Sequence, residues 1–436
     1  MENLSKVDIG ATDIVVKTVH VNGVDVTRND VIKDAVEPLF SASTFNEVLK
    51  SCMMAKKQLH ELGIFQTISV LIDSNYNDVG EADGLEVVMN VKECNRLLGK
   101  VTSTIAQNNE LQGLASLTVR NVFGRAEMLE MKVSSGRNVQ PRYEVLFKKP
   151  IHADKDHNVT LSVHRAPLDF PSSGYKEVST GLSAQYALPT QFGDHAFKYN
   201  LDWRHRLVSS KATPFAVRQH AGHSIKSSIG HTFTIDSRPE TVFPKAGSLF
   251  QFTQEYAGLG GDVKYAKCSS EVQTNVPLPW ESTLTAALSG GLLKWFGQRN
   301  ISDGFFLGGP LSVRGFSTNG LGPQDQGYSL GADAFWASGL HLFTPLPYMR
   351  PSEGGIGSFF RAHFFLTAGN CDSLTLDRRE FWNFFTQMRW SYGAGLALRL
   401  GPARIELNYC IPKSSQPTDV LHTGHIQVGF GLHYSC

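Results

Sequence analysis

Gly327-Tyr-Ser-Leu-Gly331 carries the G-x-S-x-G spacing of a nucleophile elbow, in which a serine on a sharp strand-to-helix turn attacks an acyl carbon. From Ala332 onward the chain reads as more strand, so the helix that an elbow needs is missing and the motif is set aside. His220-Ala-Gly-His223 and His422-Thr-Gly-His425 offer H-x-x-H pairs. In extended chain, residues three apart face opposite sides and cannot close on one metal ion. No G-x-x-x-x-G-K-[ST] phosphate loop occurs, and Gly429-Phe-Gly-Leu-His-Tyr434 lacks the third glycine of a dinucleotide fingerprint. Cys52, Cys94, Cys268, Cys371, Cys410 and Cys436 stand far apart with no C-x-x-C, and read as isolated reduced thiols. The expectation is a protein without metal or cofactor that is not an enzyme. One segment does point to chemistry: Phe305-Phe-Leu-Gly-Gly-Pro-Leu-Ser-Val-Arg-Gly-Phe-Ser-Thr-Asn-Gly-Leu-Gly-Pro323 places a guanidinium, Arg314, among glycines and aromatic residues. Glycine lets the backbone approach another wall closely, and arginine can fork onto a carboxylate in a confined space.

What must position that loop follows from composition and periodicity. The 436 residues hold 41 Lys+Arg against 40 Asp+Glu, a net charge of +1 that argues against a basic nucleic-acid binder. No run of apolar residues is long enough for a transmembrane helix. Yet there are 40 Gly, 27 Phe, 12 Tyr and 6 Trp with only 19% charged residues, the composition of a membrane-spanning β-barrel. The N-terminus, Met1-Glu-Asn-Leu-Ser-Lys-Val-Asp, lacks both a secretion signal and the Arg-rich look of a transit peptide. Membrane insertion after cytosolic synthesis is therefore expected.

After a tail over residues 1–11, residues 12–94 read as a small α+β domain of order β-α-α-β-β. Val31, Ile32, Ala35, Val36 and Leu39 make one buried helical stripe, and Val48, Leu49, Cys52, Leu59 and Leu62 a second. Ser43 or Thr44 can cap the second helix. From residue 95 to 436 helical periodicity gives way to alternation. Phe197, Tyr199, Leu201, Trp203, His205 and Leu207 share one face, opposite Lys198, Asn200, Asp202, Arg204 and Arg206. Ile405, Leu407, Tyr409 and Ile411 alternate with Arg404, Glu406, Asn408 and Cys410. About sixteen such strands fit, each long enough to cross a membrane, with a long loop over residues 298–326. Side chains cannot fill a barrel of that size, so water enters, the polar face turns inward and the apolar face meets lipid. Trp203, Trp280, Trp295, Trp382 and Trp390 near strand ends fit interface girdles.

With those residues in view, the chain resembles the outer-membrane barrel-insertase superfamily, whose members join POTRA domains of β-α-α-β-β order to a sixteen-stranded barrel. The superfamily's [VI]-R-G-[FY] loop motif is matched by Val313-Arg314-Gly315-Phe316. Gln427-Val-Gly-Phe-Gly-Leu-His-Tyr434 matches the sorting signal of mitochondrial barrels: polar, any, Gly, two of any, hydrophobic, any, hydrophobic. A single POTRA-like module makes the mitochondrial branch, the central barrel subunits of the sorting and assembly machinery, the nearest in appearance. The resemblance implies that Arg314 lies in the lumen and pairs with an acidic wall residue. The family's F-x-D-x-G pattern falls on Phe365-Leu-Thr-Ala-Gly369, where Thr367 replaces the acid. Asp333 is the expected substitute, because a strand over residues 327–344 would place it on the face of Ser329 and Gly331.

The resemblance further implies a lateral seam between the first strand, with Leu98, Lys100, Thr102 and Thr104, and the last, with Gln427, Gly429, Gly431, Leu432 and Tyr434. Glycine weakens a strand by adding no cross-strand packing, so the last strand should yield to a client's. Implied partners are membrane lipid, client β-barrel precursors, two metaxin-like receptor subunits and the cristae-organising complex. Implied localisation is the mitochondrial outer membrane, with the N-terminal domain in the intermembrane space. A passive outer-membrane pore shares the barrel but has no need of the Arg314 loop or the N-terminal module. A soluble all-β enzyme is the remaining rival.

Overall fold

The structure, a computed structural model, describes residues 14–76, 82–105, 111–136, 140–347, 357, 359–373, 378–401 and 403–431. Its N-terminal module has the expected order: β1 (Val16–Asn22), α1 (Asn29–Phe40), α2 (Phe45–Glu61), β2 (Phe65–Tyr76) and β3 (Ala82–Glu93). β1 runs parallel to β3 and β2 antiparallel to it, giving the order β1-β3-β2. Helix α1 buries Val31, Ile32, Ala35, Val36 and Leu39, the stripe that its spacing predicts. Helix α2 buries Val48, Cys52, Ala55 and Leu59, whereas Leu49 and Leu62 are only half-buried. Thr44 is the cap: its hydroxyl accepts from the Glu47 amide while the Glu47 carboxylate reaches back to the Thr44 amide. That reciprocal pair satisfies two amides that the first helical turn leaves without partners.

Sixteen further strands form one sheet. They begin with β4 (Leu97–Ile105), β5 (Leu111–Arg120), β6 (Met128–Gly136), β7 (Arg142–Ile151), β8 (Asp154–Phe170) and β9 (Tyr175–Thr190). After β10 (Gly193–Val208) comes the one-turn helix α3 (Phe215–Arg218), then β11 (Gly222–Asp236), β12 (Gly247–Ala257), β13 (Tyr265–Leu278) and β14 (Ser282–Trp295). A long loop follows, holding a short hairpin of β15 (Gln324–Asp325) and β16 (Tyr328–Ser329). The sheet resumes with β17 (Ala334–Thr344) and β18 (Phe360–Asp372), passes helix α4 (Arg378–Thr386), and ends with β19 (Arg389–Leu400), β20 (Ala403–Ser414) and β21 (Ile426–Gly431). Strand neighbours follow chain order from β4 to β21, with β14 beside β17. The strand expected over residues 327–344 is shorter, because residues 324–329 fold on themselves as the hairpin and β17 starts only at Ala334.

Which face is wet is settled by accessibility. On β20, Leu407 and Tyr409 are each 49% exposed, while Arg404, Glu406, Asn408 and Cys410 are buried. On β10, Phe197, Leu201, Trp203 and Leu207 are exposed and Asp202 and Arg206 buried. A water-soluble sandwich hides its apolar face; here the apolar face is outward, as lipid requires. The fold is a transmembrane β-barrel carrying an N-terminal α/β module. One expected girdle residue belongs elsewhere: Trp295 shares the inward face of β14 with Thr285 and Ser289, and its ring packs edge-on against Tyr265.

The chain forms two compact units, one of them uniting the N-terminal module with most of β4, with β5, β6 and β7, and with the start of β8 and the end of β9. Within it, the turns after β5 and β7 carry Ala126 and Ala153 into the apolar cluster of Val31, Ala35 and Leu59. Polar contacts fix the same junction. Arg28 N donates to Gly124 O at 2.7 Å, Arg125 Nε meets Asp30 Oδ2 at 2.6 Å, and Asn121 Nδ2 donates to Thr27 Oγ1 at 2.8 Å. Thr27 Oγ1 and N donate in turn to Glu93 Oε1 at 2.6 and 2.9 Å. Burial alone would raise the Glu93 carboxyl; the hydrogen bonds from Thr27 and Val26 overcome it and hold the group below the usual carboxylate range. Its folded pKa being depressed, the linked stability is full above the unfolded pKa and is lost as pH falls through the folded value. Hydrogen exchange at residues 24–28 in the full chain should therefore quicken as pH falls below the carboxylate range, after correction for intrinsic exchange. Glu93→Gln should remove that dependence; an unchanged profile would sink this account of the junction.

Candidate functional site: a loop held inside the barrel

The loop between β14 and β17 folds against the inward, polar face of the second unit and bridges two of its walls. Its Val313 and Phe316 are fully buried, in a cluster with Phe305, Leu307 and Leu321 of the loop and Ala257, Tyr265, Leu293, Ala337 and Cys371 of the wall. Gly369 on β18 permits the approach: a Cβ there would lie 3.0 Å from Val313 Cγ2. Arg314, 1% exposed, extends its guanidinium to β20, where Nη2 and Nε lie 2.8 and 3.3 Å from Glu406 Oε2. The guanidinium also lies over the Phe365 ring, 5.1 Å from its centroid.

Glu406 is itself held on all sides. Arg404 Nε lies 2.8 Å from its Oε1, and Asn408 Nδ2 donates to Oε2 at 2.8 Å. Asn408 Oδ1 and His363 Nδ1 are 2.9 Å apart, and His363 Nε2 lies 3.0 Å from His341 Nδ1. An acid in a wall this dry must be paired, since an isolated buried charge is very costly.

Asp333, the expected partner, does not take part. It lies just before β17, where it accepts from Trp295 Nε1 at 2.8 Å and pairs with Arg299 at 3.5 Å. Arg314 instead lies over β18, β19 and β20, and Glu406 on that wall reaches it. The sequence did contain the signal, for Glu406 occupies the polar phase of the β20 alternation. Thr367 keeps a role at its position: its hydroxyl accepts from the Arg314 amide at 3.3 Å, and Ser391 Oγ donates to Arg314 O at 2.6 Å.

The same turn grips the last strand. Gly315 N donates to Gln427 Oε1 at 3.0 Å, and Gln427 Nε2 donates to Phe316 O at 2.9 Å. Gly429, read from sequence as a weakening residue, also seats the loop: a Cβ there would lie 3.1 Å from Pro310 Cβ. The β20–β21 connection adds backbone bonds, Ser317 N to Val420 O, Val420 N to Gly320 O and His422 N to Gly315 O. Gly431 is buried at the end of β21, and Leu432 and Tyr434 lie outside the described residues. On β4, Leu98 and Lys100 are exposed, Thr102 is half-buried, and the Thr104 backbone continues the strand.

The loop has a second anchor, which sequence reading missed. Asp303, buried in a short 3₁₀ turn, receives Arg204 Nη1 on both oxygens at 3.0 Å, Lys226 Nζ at 3.3 Å and the Tyr265 hydroxyl at 3.2 Å. Beside it, Ser302 Oγ donates to Glu177 Oε2 at 2.6 Å, and Asn300 Oδ1 accepts from Arg206. An acid at one end of the loop is thus bound by cations on β10 and β11, and a base further along by an acid on β20. Among the described residues no group of acidic, histidine and cysteine side chains is arranged to hold a metal. Asp303→Asn should cost about 1.5–3 kcal/mol, because Arg204 and Lys226 would lose a shared buried carboxylate while keeping Glu177 and Glu255. The temperature at which the barrel loses its heat-modifiable gel mobility should fall accordingly; no change would show that the anchor carries no load.

Residues 121–434 match the Omp85 superfamily domain. Over 429 residues, 97% of this chain and 91% of the relative, the sequence is 40% identical to the Sorting and assembly machinery component 50 homolog B of Xenopus laevis. It is 39% identical, with the same coverage, to the Sorting and assembly machinery component 50 homolog of Homo sapiens. In fold it is similar to BamA from Haemophilus ducreyi lacking POTRA domains 1–3, with a TM-score of 0.74 at 17% identity, covering 96% of this chain and 84% of that one. The chain belongs to the Omp85 superfamily, and within it to the family of the sorting and assembly machinery component 50 homologues.

Proposed function

We propose that this chain is a β-barrel insertase of the mitochondrial outer membrane, with its N-terminal module acting as a POTRA domain in the intermembrane space. The relatives' names and the shared barrel fold support the assembly role. One observation carries the reading furthest: the Val313–Phe316 turn, bound to the wall through Arg314 and Glu406, is joined to the last strand through Gln427.

β4 and β21 end the strand order. In this reading a client's terminal strand pairs with β4, at Leu98, Lys100, Thr102 and Thr104, in place of β21. An exposed strand edge is a template for such addition. In hydrocarbon every backbone donor needs a partner, so a template that supplies partners strand by strand lowers the barrier to insertion. Client hydrogen bonding and lipid burial drive the process, and the chain is not an enzyme and takes no cofactor. Metaxin-like subunits on the cytosolic side and the cristae-organising complex on the inner side are the proposed partners. A loop packed across the lumen from two walls weighs against a passive pore.

Arg314→Ala and Glu406→Ala should each lower client-barrel assembly in isolated mitochondria to about a tenth or less, since the first cuts the loop's ionic tie to β20 and the second removes the buried carboxylate that Arg314 and Arg404 share. Wild-type rates in either variant would sink the role of the pair. Photocrosslinks from the terminal strand of an arrested client should concentrate on residues 97–105. An even spread over the other barrel strands would refute the exchange.

A further inference from the structure

Helix α4 lies outside the barrel wall. The outward faces of β17 and β18 carry the directly opposed pairs Leu342–Phe364, Leu340–Leu366, Ser338–Ala368 and Trp336–Asn370. Leu340, Phe364 and Leu366 are exposed. At the last pair the face changes character: Asn370 is buried because α4 covers it. Asn370 Nδ2 donates to Phe384 O at 2.7 Å and Trp336 Nε1 to the same oxygen at 3.3 Å, while Asn370 Oδ1 accepts from Arg389 of β19 and from the Cys371 amide. Phe384 is buried, and Phe385 stacks on Trp336 with centroids 6.1 Å apart. Away from that contact the segment still shows apolar surface to its surroundings: Trp382 of the helix is 63% exposed, Phe385 43%, and Met388, two residues past the helix end, 44%. Trp390 and Tyr392 on the outward face of β19 stack nearby at 6.1 Å.

Such a surface is costly in water, and it continues a face that meets lipid. At about 3.3 Å per residue, Asn370 lies about 13 Å along the strand from Leu366. An amide that needs polar partners, beside indole donors and rings, belongs at the level where the hydrocarbon ends. We propose that α4 is an interfacial anchor, with its Trp382 and Phe385 and the Met388 that follows it seated in the headgroup–acyl boundary of the bilayer beside β17, β18 and β19. The occupant is the lipid surface itself, and the inference rests on the barrel being membrane-embedded. Seated there, the helix fixes the depth of the barrel at the end from which the Arg314 loop enters.

The test uses the full chain refolded in phosphatidylcholine vesicles, with lipids brominated either near the glycerol or near the chain end. The fluorescence of the wild type minus that of Trp382→Phe isolates Trp382, and the same subtraction with Trp203→Phe reports a wall residue of β10. Shallow bromines should quench the Trp382 component about threefold more than deep ones, as expected of an indole at the interface, and aqueous acrylamide should quench it weakly. Strong acrylamide quenching without bromolipid quenching would overturn the proposal and leave the helix facing water or a protein partner. Equal quenching by deep and shallow bromines would also overturn it. If Trp203 too escapes the bromolipids, it is the embedding of the barrel, and not the helix alone, that fails.

Discussion

The Arg314–Glu406 pair is the constraint on which the interior depends. Both groups are almost completely excluded from solvent, and each lowers the cost of burying the other's charge. The pair draws the loop onto β20, and only there can the neighbouring backbone groups meet Thr367, Ser391 and Gln427. Asp303 repeats the principle with opposite sign on β10 and β11. Two charges of different sign, bound to walls of complementary sign, define the loop's position and direction far better than apolar packing could. Apolar contacts are non-directional, whereas an arginine fork has one good geometry.

This logic inverts the usual relation between burial and polarity. The barrel exposes leucine, phenylalanine and tyrosine and hides arginine, glutamate, asparagine and histidine. Lipid supplies the outer partner for the first set; the second set must find partners among themselves and in the loop. The loop contributes both an apolar cluster around Val313 and Phe316 and hydrogen bonds to polar wall groups. Gln427 shows how closely the two are coupled, since one side chain on the last strand accepts from Gly315 and donates to Phe316. Any movement of β21 must therefore be answered by the loop, which ties the proposed strand exchange to the state of the lumen.

At the N-terminal module the device is different. Thr27 links Glu93 of the module's own sheet to Asn121 of a barrel turn, while Ala126 and Ala153 complete an apolar cluster that the module's helices begin. Small side chains at those turns allow close seating, and the short polar chain from Glu93 to Asn121 fixes its register. Module and turns belong to one compact unit, so a force felt by the module is passed to β5, β6, β7 and β8.

Much of this was legible in the residues alone. Alternation along β10 and β20 gave the strands and their two faces, because side-chain direction in extended chain depends only on parity. The spacing of Val31, Ile32, Ala35, Val36 and Leu39 gave α1, because helical faces repeat locally. A guanidinium set among glycines and aromatic residues marked Arg314, and the resemblance alone placed it in the lumen. Parity also placed Glu406 on the polar face, yet could not select it as the partner over Asp333. That choice depended on where a loop without regular period crosses the lumen, and contacts between residues 92 positions apart leave no periodic trace. Asp303 escaped notice for the same reason, as one acid in an irregular segment whose cations lie on distant strands. Sequence fixes local direction because backbone geometry repeats from residue to residue; which buried charges meet was decided by the tertiary fold, where desolvation makes every unpaired alternative too costly.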